Sequence, residues 1–210
     1  MNVIEWLLDS DPAIRWQAMR DLTDAPAATI VAERARVSQE GVGAAILAGQ
    51  EPDGAWRRAD APTWLTTLFT MQLLRATGAD RTDPIVVSAV ARAEVHLQWN
   101  VHNDCWDLRS PEFGGNAFFL GEEEPCINGG VLALGGYFGR PNENLARRLL
   151  NEQMEDGGWN CEAPKSRRSS FHTTICVLEG MLEYERAVGG APEIAEARRR
   201  GEEYLLARGL

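Results

Sequence analysis

The sequence predicts an all-α fold of about five helix pairs, wound as an α/α barrel (a toroid) that is closed or incomplete. Three observations point there. Apolar residues recur at helical spacing along most of the chain, and no convincing strand or hairpin interrupts them. A corner of the form Gln-x-x-Asp-Gly-x-Trp occurs twice, as Gln50-Glu51-Pro52-Asp53-Gly54-Ala55-Trp56 and as Gln153-Met154-Glu155-Asp156-Gly157-Gly158-Trp159. Apolar helices alternate with charged ones, as an inner and an outer ring require.

The corner has a physical logic. An Asp-Gly turn reverses the chain, the glutamine amide bonds backbone groups freed by the turn, and the tryptophan seals the joint by burying a large ring. A degenerate third copy runs from Gln98-Trp99 through Cys105-Trp106. The three glutamines, 50, 98 and 153, are 48 and then 55 residues apart, room for two helices and their turns each time. Repeats of that length signal stacked supersecondary units.

The elements follow in order. Ile4, Trp6, Leu7 and Leu8 open the chain, and Ser10-Asp11-Pro12 is a cap with proline in the first turn of a second helix. Ile14, Ala18 and Leu22 form its apolar stripe. A third helix runs to about residue 39 and a fourth over 42–50, ending at the first corner. Helices over 62–76 and 84–99 follow, Gly78 stopping the first of them. Residues 100–125 form a long irregular stretch, of the kind that often carries function. Residues 127–138 are apolar and glycine-rich nearly all round, which predicts a buried inner helix. Helices over 142–153, 171–188 and 192–208 complete the set. The chain reads as a single domain over 1–210, with HEAT-like helices over 1–40, where Asp11-Pro12-Ala13-Ile14-Arg15 resembles such a repeat, and corner repeats over 41–210. A plain helical array is the alternative architecture.

Bulk properties exclude some functions. A net charge of −10 argues against a nucleic-acid partner, which needs a basic face. No apolar run is long enough for a membrane span, and Met1-Asn2-Val3-Ile4-Glu5-Trp6 lacks a signal-peptide pattern, which predicts a cytoplasmic protein. In a reducing compartment the four cysteines (105, 126, 161, 176) are buried thiols, metal ligands or nucleophiles rather than structural disulfides. No phosphate-binding glycine loop and no G-x-S-x-G elbow occurs. Homo-oligomerisation stays open.

Three segments converge if consecutive inner helices begin at one end of the barrel: Glu124-Pro125-Cys126, Cys161 and His172. Thiolate, imidazole and carboxylate together suit zinc, and helix N-termini favour the thiolate. The spacing is no compact zinc-ribbon pattern, so buried, inert cysteines and a core histidine remain the alternative.

The repeated corners resemble those of the terpenoid cyclase and protein prenyltransferase superfamily, whose barrels are built of paired helices. A tighter match spans Gly114 to about Glu183. Gly157-Gly158-Trp159-Asn160-Cys161, Lys165-Ser166-Arg167 and Phe171-His172-Thr173-Thr174-Ile175-Cys176 resemble the zinc-bearing subunit of protein prenyltransferases. The resemblance implies a zinc ligand at His172, places Glu124 and Cys126 on the family's Asp-x-Cys pair, and leaves Cys161 as a candidate fourth ligand. It implies a zinc-dependent enzyme acting on an apolar, isoprenoid substrate, with Phe118, Phe119, Trp106 and Trp159 as pocket wall. The departures are specific. Where the family carries basic residues for a prenyl diphosphate, this chain has Phe118, Phe119, Leu120 and Glu122, Glu123, Glu124, and it has neither D-x-D-D nor D-D-x-x-D. The competing expectation is a non-catalytic helical-repeat binding module with a vestigial or structural metal site.

Overall fold

The computed structural model describes residues 2–99 and 115–209. Among them lie ten α-helices, and the only β-type pairings are isolated bridges, so the fold is all-α as the periodicity predicts. No described helix is long and apolar enough to cross a membrane. The chain divides into two compact units, residues 1–96 and 97–210.

The first unit holds α1 (Val3–Leu8), α2 (Pro12–Leu22), α3 (Ala27–Ala35), α4 (Gly41–Ala48), α5 (Thr63–Ala76) and α6 (Pro84–His96). The cap read at Asp11 is present. Its Oδ1 accepts from the Ala13 N–H at 2.9 Å, Pro12 occupies the first helical position, and Oδ2 accepts from the Val42 N–H at 2.8 Å, tying α2 to the start of α4. The buried face of α2 differs from the predicted stripe. Ala18 is buried, but Ile14 and Leu22 are exposed, and Ala13 and Trp16 take the core. The indole of Trp16 is the reason: its Nε1 donates to the Thr77 carbonyl at 2.8 Å, and Arg20 and Arg34 stand 4.7 and 5.2 Å from its ring centroid. An amphipathic ring with its N–H committed rotates the helix away from the position its aliphatic residues alone would choose.

The second unit holds a 3₁₀ turn at Phe118–Leu120, then α7 (Pro125–Tyr137), α8 (Glu143–Asn151), α9 (Phe171–Val188) and α10 (Pro192–Leu206). Helix α7 is the buried inner helix its composition predicts, with every residue from Asn128 to Gly136 enclosed. It packs on α9 backbone to backbone. A methyl group at Gly129 would stand 2.4 Å from the Cys176 carbonyl oxygen, and one at Gly180 would stand 2.4 Å from that of Gly129. Overpacking of this kind costs about 1–3 kcal/mol. Gly129→Ala is accordingly expected to lower the unfolding free energy by at least that amount, measured by urea denaturation. Helix α10 is rich in charge. Arg198 pairs with Glu202, and Arg199 pairs with Glu203 and, at 2.6 Å, with Glu196.

The two corners, one in each unit, are built alike. Gln50 Nε2 donates to the carbonyls of Gly54 (3.0 Å) and Ala89 (2.9 Å), and Gln153 Nε2 donates to those of Gly157 and Ala197 (both 2.7 Å). Each glutamine therefore joins its own turn to a later helix, α6 or α10. Gln50 Oε1 accepts from Arg92 and Gln153 Oε1 from Arg200, each at 3.0 Å. The indole N–H of Trp56 donates to the Ile46 carbonyl and that of Trp159 to the Leu149 carbonyl, both at 2.7 Å. The following helix is held too: Trp56 N donates to Thr67 Oγ1 and Trp159 N to Thr174 Oγ1, at 3.1 and 3.0 Å. Glycine is required at the turns because Gly54 and Gly157 have φ of +83° and +97°, where a β-carbon is strained. Most of the degenerate third copy, Trp106 included, lies outside the described residues; Trp99 within it donates to the Phe118 carbonyl at 2.9 Å.

Asp156 gives the second corner a pH dependence. Burial works against its charge, yet hydrogen bonds from the Ser169 hydroxyl and from the N–H groups of Ser169 and Gly158 hold its carboxyl below the ordinary carboxylate range, with Arg208 3.9 Å away. A carboxylate whose pKa is lower folded than unfolded stabilises the fold above its unfolded pKa, and that contribution is lost as pH falls through the folded value. Stability should therefore fall as pH drops below about 4, and Asp156→Asn should fall less steeply. Urea midpoints measured from pH 7 down to pH 3 check this.

Candidate metal centre

Two elements bring the predicted donors together. Glu124 is the N-cap of α7, Pro125 its first residue and Cys126 its second, so the thiol stands in the first turn. The second corner supplies Cys161. The Ser170 N–H donates to the Trp159 carbonyl at 2.8 Å, closing the bridge between these two residues and holding the intervening loop at the start of α9. Ligand atoms of Glu124, Cys126 and Cys161 lie within 4.8 Å of one another, and all three residues are half-buried. This is a group fit to hold a metal ion, and it contains three of the four donors that the sequence picks out.

The electrostatics single out one sulfur. The Cys126 S–H donates to the Glu124 carboxylate at 3.7 Å, and its sulfur stands against that of Cys161, at which the backbone N–H of Cys126, in the first turn of α7, also points. The Cys126 neighbour, with a further contact to Thr173 Oγ1 at 3.5 Å, lowers the Cys161 thiol to about 7 against the opposing effect of burial. Cys126 moves the other way. The neighbouring Cys161 sulfur, burial, and the Glu124 carboxylate that accepts its S–H at 3.7 Å all raise its pKa.

His172, the fourth predicted donor, sits in the first turn of α9 and is exposed. It lies outside the group of three. Its Nε2 is 3.8 Å from the sulfur of Cys176, one helical turn further on. Cys176 was not among the donors picked from the sequence. It is half-buried, and burial and the Glu179 and Cys161 charges raise its pKa, which places it electrostatically beside the cluster. The signal for it was available: His172 and Cys176 are i and i+4, neighbours on one helix face.

The loop that presents Glu124 is itself held. Asn128, fully buried, accepts from the Glu122 N–H and donates to the Glu122 carbonyl, both at 2.8 Å. Arg148 on α8 donates to the carbonyls of Glu122 (2.5 Å) and Glu123 (2.6 Å), while Glu152 fixes the guanidinium at 2.7 Å. The Glu122 carboxylate accepts from the Glu124 N–H at 2.6 Å, and burial raises its pKa to about 7. Groups that orient ligands typically contribute about 10–100-fold in metal affinity. Arg148→Met keeps the apolar stem and removes the clamp, so it should weaken the binding of a metal ion by the three donors by about that factor. Competition with a chromogenic chelator measures it.

The aromatic residues proposed as pocket wall have packing partners. Phe118 and Phe119 are buried, Phe118 stacked on Trp99 at 5.4 Å and meeting Phe119 edge-on at 5.2 Å. Trp159 is fully enclosed, with its N–H bound to Leu149. Trp106 lies outside the described residues. No family model, curated protein or solved structure matches the chain.

Proposed function

We propose that this chain binds zinc through Glu124, Cys126 and Cys161 and is a zinc-dependent enzyme acting on an apolar, isoprenoid-type substrate. The convergence of those three donors at the N-terminus of α7 is the observation that carries the reading. Two thiols and a carboxylate form a zinc-type donor set, and three protein ligands leave one position of a tetrahedron for a reacting group. When bound, the metal supplies Lewis acidity or an activated nucleophile. The chain's own part is to hold Cys126 rigid on α7, to bring Cys161 against it from the corner, and to fix Glu124 through Arg148 and Asn128. The acidic residues 122–124 disfavour a diphosphate, so the substrate proposed is uncharged where it meets the metal. An α/α barrel arrangement of the helices, as the corners imply by resemblance, belongs to this proposal.

A second reading is a non-catalytic helical-repeat module with a structural zinc. Cys176, whose thiol feels the Cys161 charge and which lies 3.8 Å from His172 Nε2, favours it as a source of a further donor, and so does the packing of Phe118, Phe119 and Trp159. Cobalt substitution separates the two. If imidazole added to the cobalt form shifts its visible bands, the fourth position is open and the enzyme reading holds. An unshifted spectrum makes the site closed and structural.

A further inference from the structure

We propose that Cys126 and Cys161 are a peroxide-sensitive dithiol that closes to a reversible disulfide. The sulfurs come from different elements, the first turn of α7 and the loop after the second corner, yet lie within 4.8 Å of each other. A disulfide needs about 2 Å between sulfurs, so one side must move. The loop can do so: residues 162–165 are exposed and non-helical, whereas Cys126 is fixed in a buried helix. Both thiols are half-buried, within reach of a small hydroperoxide. Cys176, the third sulfur nearby, is held in mid-helix on α9, whose backbone is locked against α7 at Gly129.

The chemistry balances as follows. One of the two sulfurs, as thiolate, attacks one peroxide oxygen, the O–O bond breaks, and the leaving hydroxide takes the proton of the other thiol and becomes water. The second sulfur, now a thiolate, attacks the sulfenic sulfur of the first, forming the S–S bond and expelling hydroxide, which solvent protonates. Two sulfurs lose one electron each, and the hydroperoxide gains both. Where zinc is bound as proposed above, the same two sulfurs are its ligands, so oxidation ejects the metal. That consequence rests on the zinc reading; the disulfide does not.

The test uses the reduced full-length chain, metal-free and zinc-loaded, with hydrogen peroxide as oxidant and unreduced peptide mapping by mass spectrometry. In the metal-free chain we expect a Cys126–Cys161 linked peptide pair, formed at a rate independent of protein concentration and reversed by a thiol reductant. The link should persist in Cys176→Ala and vanish in Cys126→Ser and in Cys161→Ser, with far-UV circular dichroism confirming that each variant is folded. Zinc should slow the reaction about tenfold or more, because metal-held thiolates are poorer nucleophiles, and should appear in a chromogenic chelator as the link forms. Sulfinic acid on Cys161 beside a free Cys126, or a Cys161–Cys176 link, overturns the proposal. A link in a chain that binds no zinc sinks the metal reading alone, and zinc binding without a link sinks the dithiol alone.

Discussion

Trp159→Ala is expected to cost about 3–5 kcal/mol of stability, the range for truncating a fully enclosed tryptophan. The ring is 0% exposed, donates its N–H to the Leu149 carbonyl, and lies so close to α10 that a methyl group at Gly201 would meet it at 2.9 Å. Truncation leaves a cavity and an unpaired buried carbonyl, and the second of these alone costs about 1–3 kcal/mol. The molecule carries its own control. Trp56 makes the same bond to Ile46 and is 6% exposed, so Trp56→Ala should cost a similar amount by acting on the first unit. Trp159→Phe keeps one six-membered ring but loses the N–H and the rest of the fused ring system, and should fall near the lower end. Urea unfolding of the variants reads all three, and a loss below about 1 kcal/mol for Trp159→Ala would show that the corner is not the joint described. Cys161 lies two residues beyond Trp159, so Trp159→Ala should also loosen the metal centre.

What the sequence revealed, and what it hid, follows from how local each cause is. Asp11 and Pro12 cap α2 through bonds to residues two and thirty-one positions away, and the first of these is written in the motif. The corners were legible because their Asp-Gly turn is a local signal and each glutamine also bonds its own turn, four residues on, although the same amides reach Ala89 and Ala197 in helices far along the chain. The enclosure of α7 was legible because only a helix surrounded by protein has so few polar residues on any face. The facing of Ile14 and Leu22 was not, because it depends on Trp16 finding the Thr77 carbonyl, sixty-one residues away. At the metal centre, Glu124 and Cys126 share a first turn, and Cys161 follows a corner, so all three had a local address. The role of Cys176 depends on the packing of α9 against α7 at Gly129 and Gly180, which no local pattern announces.

Removing the paired sulfurs is the second large effect. Cys126→Ala and Cys161→Ala each take one of three donors from a zinc site and should lower affinity by far more than the 10–100-fold of an orienting group. His172→Ala should do less, since His172 stands outside the group of three and is exposed. If His172→Ala instead matches the cysteine variants, the imidazole is a ligand and the four-donor set implied by the family resemblance holds.

Elemental analysis of the reduced chain, purified without a metal-binding tag, decides whether the three donors hold zinc. About one zinc per chain is expected in the wild type and none in the folded Cys126→Ala/Cys161→Ala double variant, as a site built on two thiolates requires. Full zinc content in that variant, or a folded, reduced wild type without zinc, would contradict that expectation.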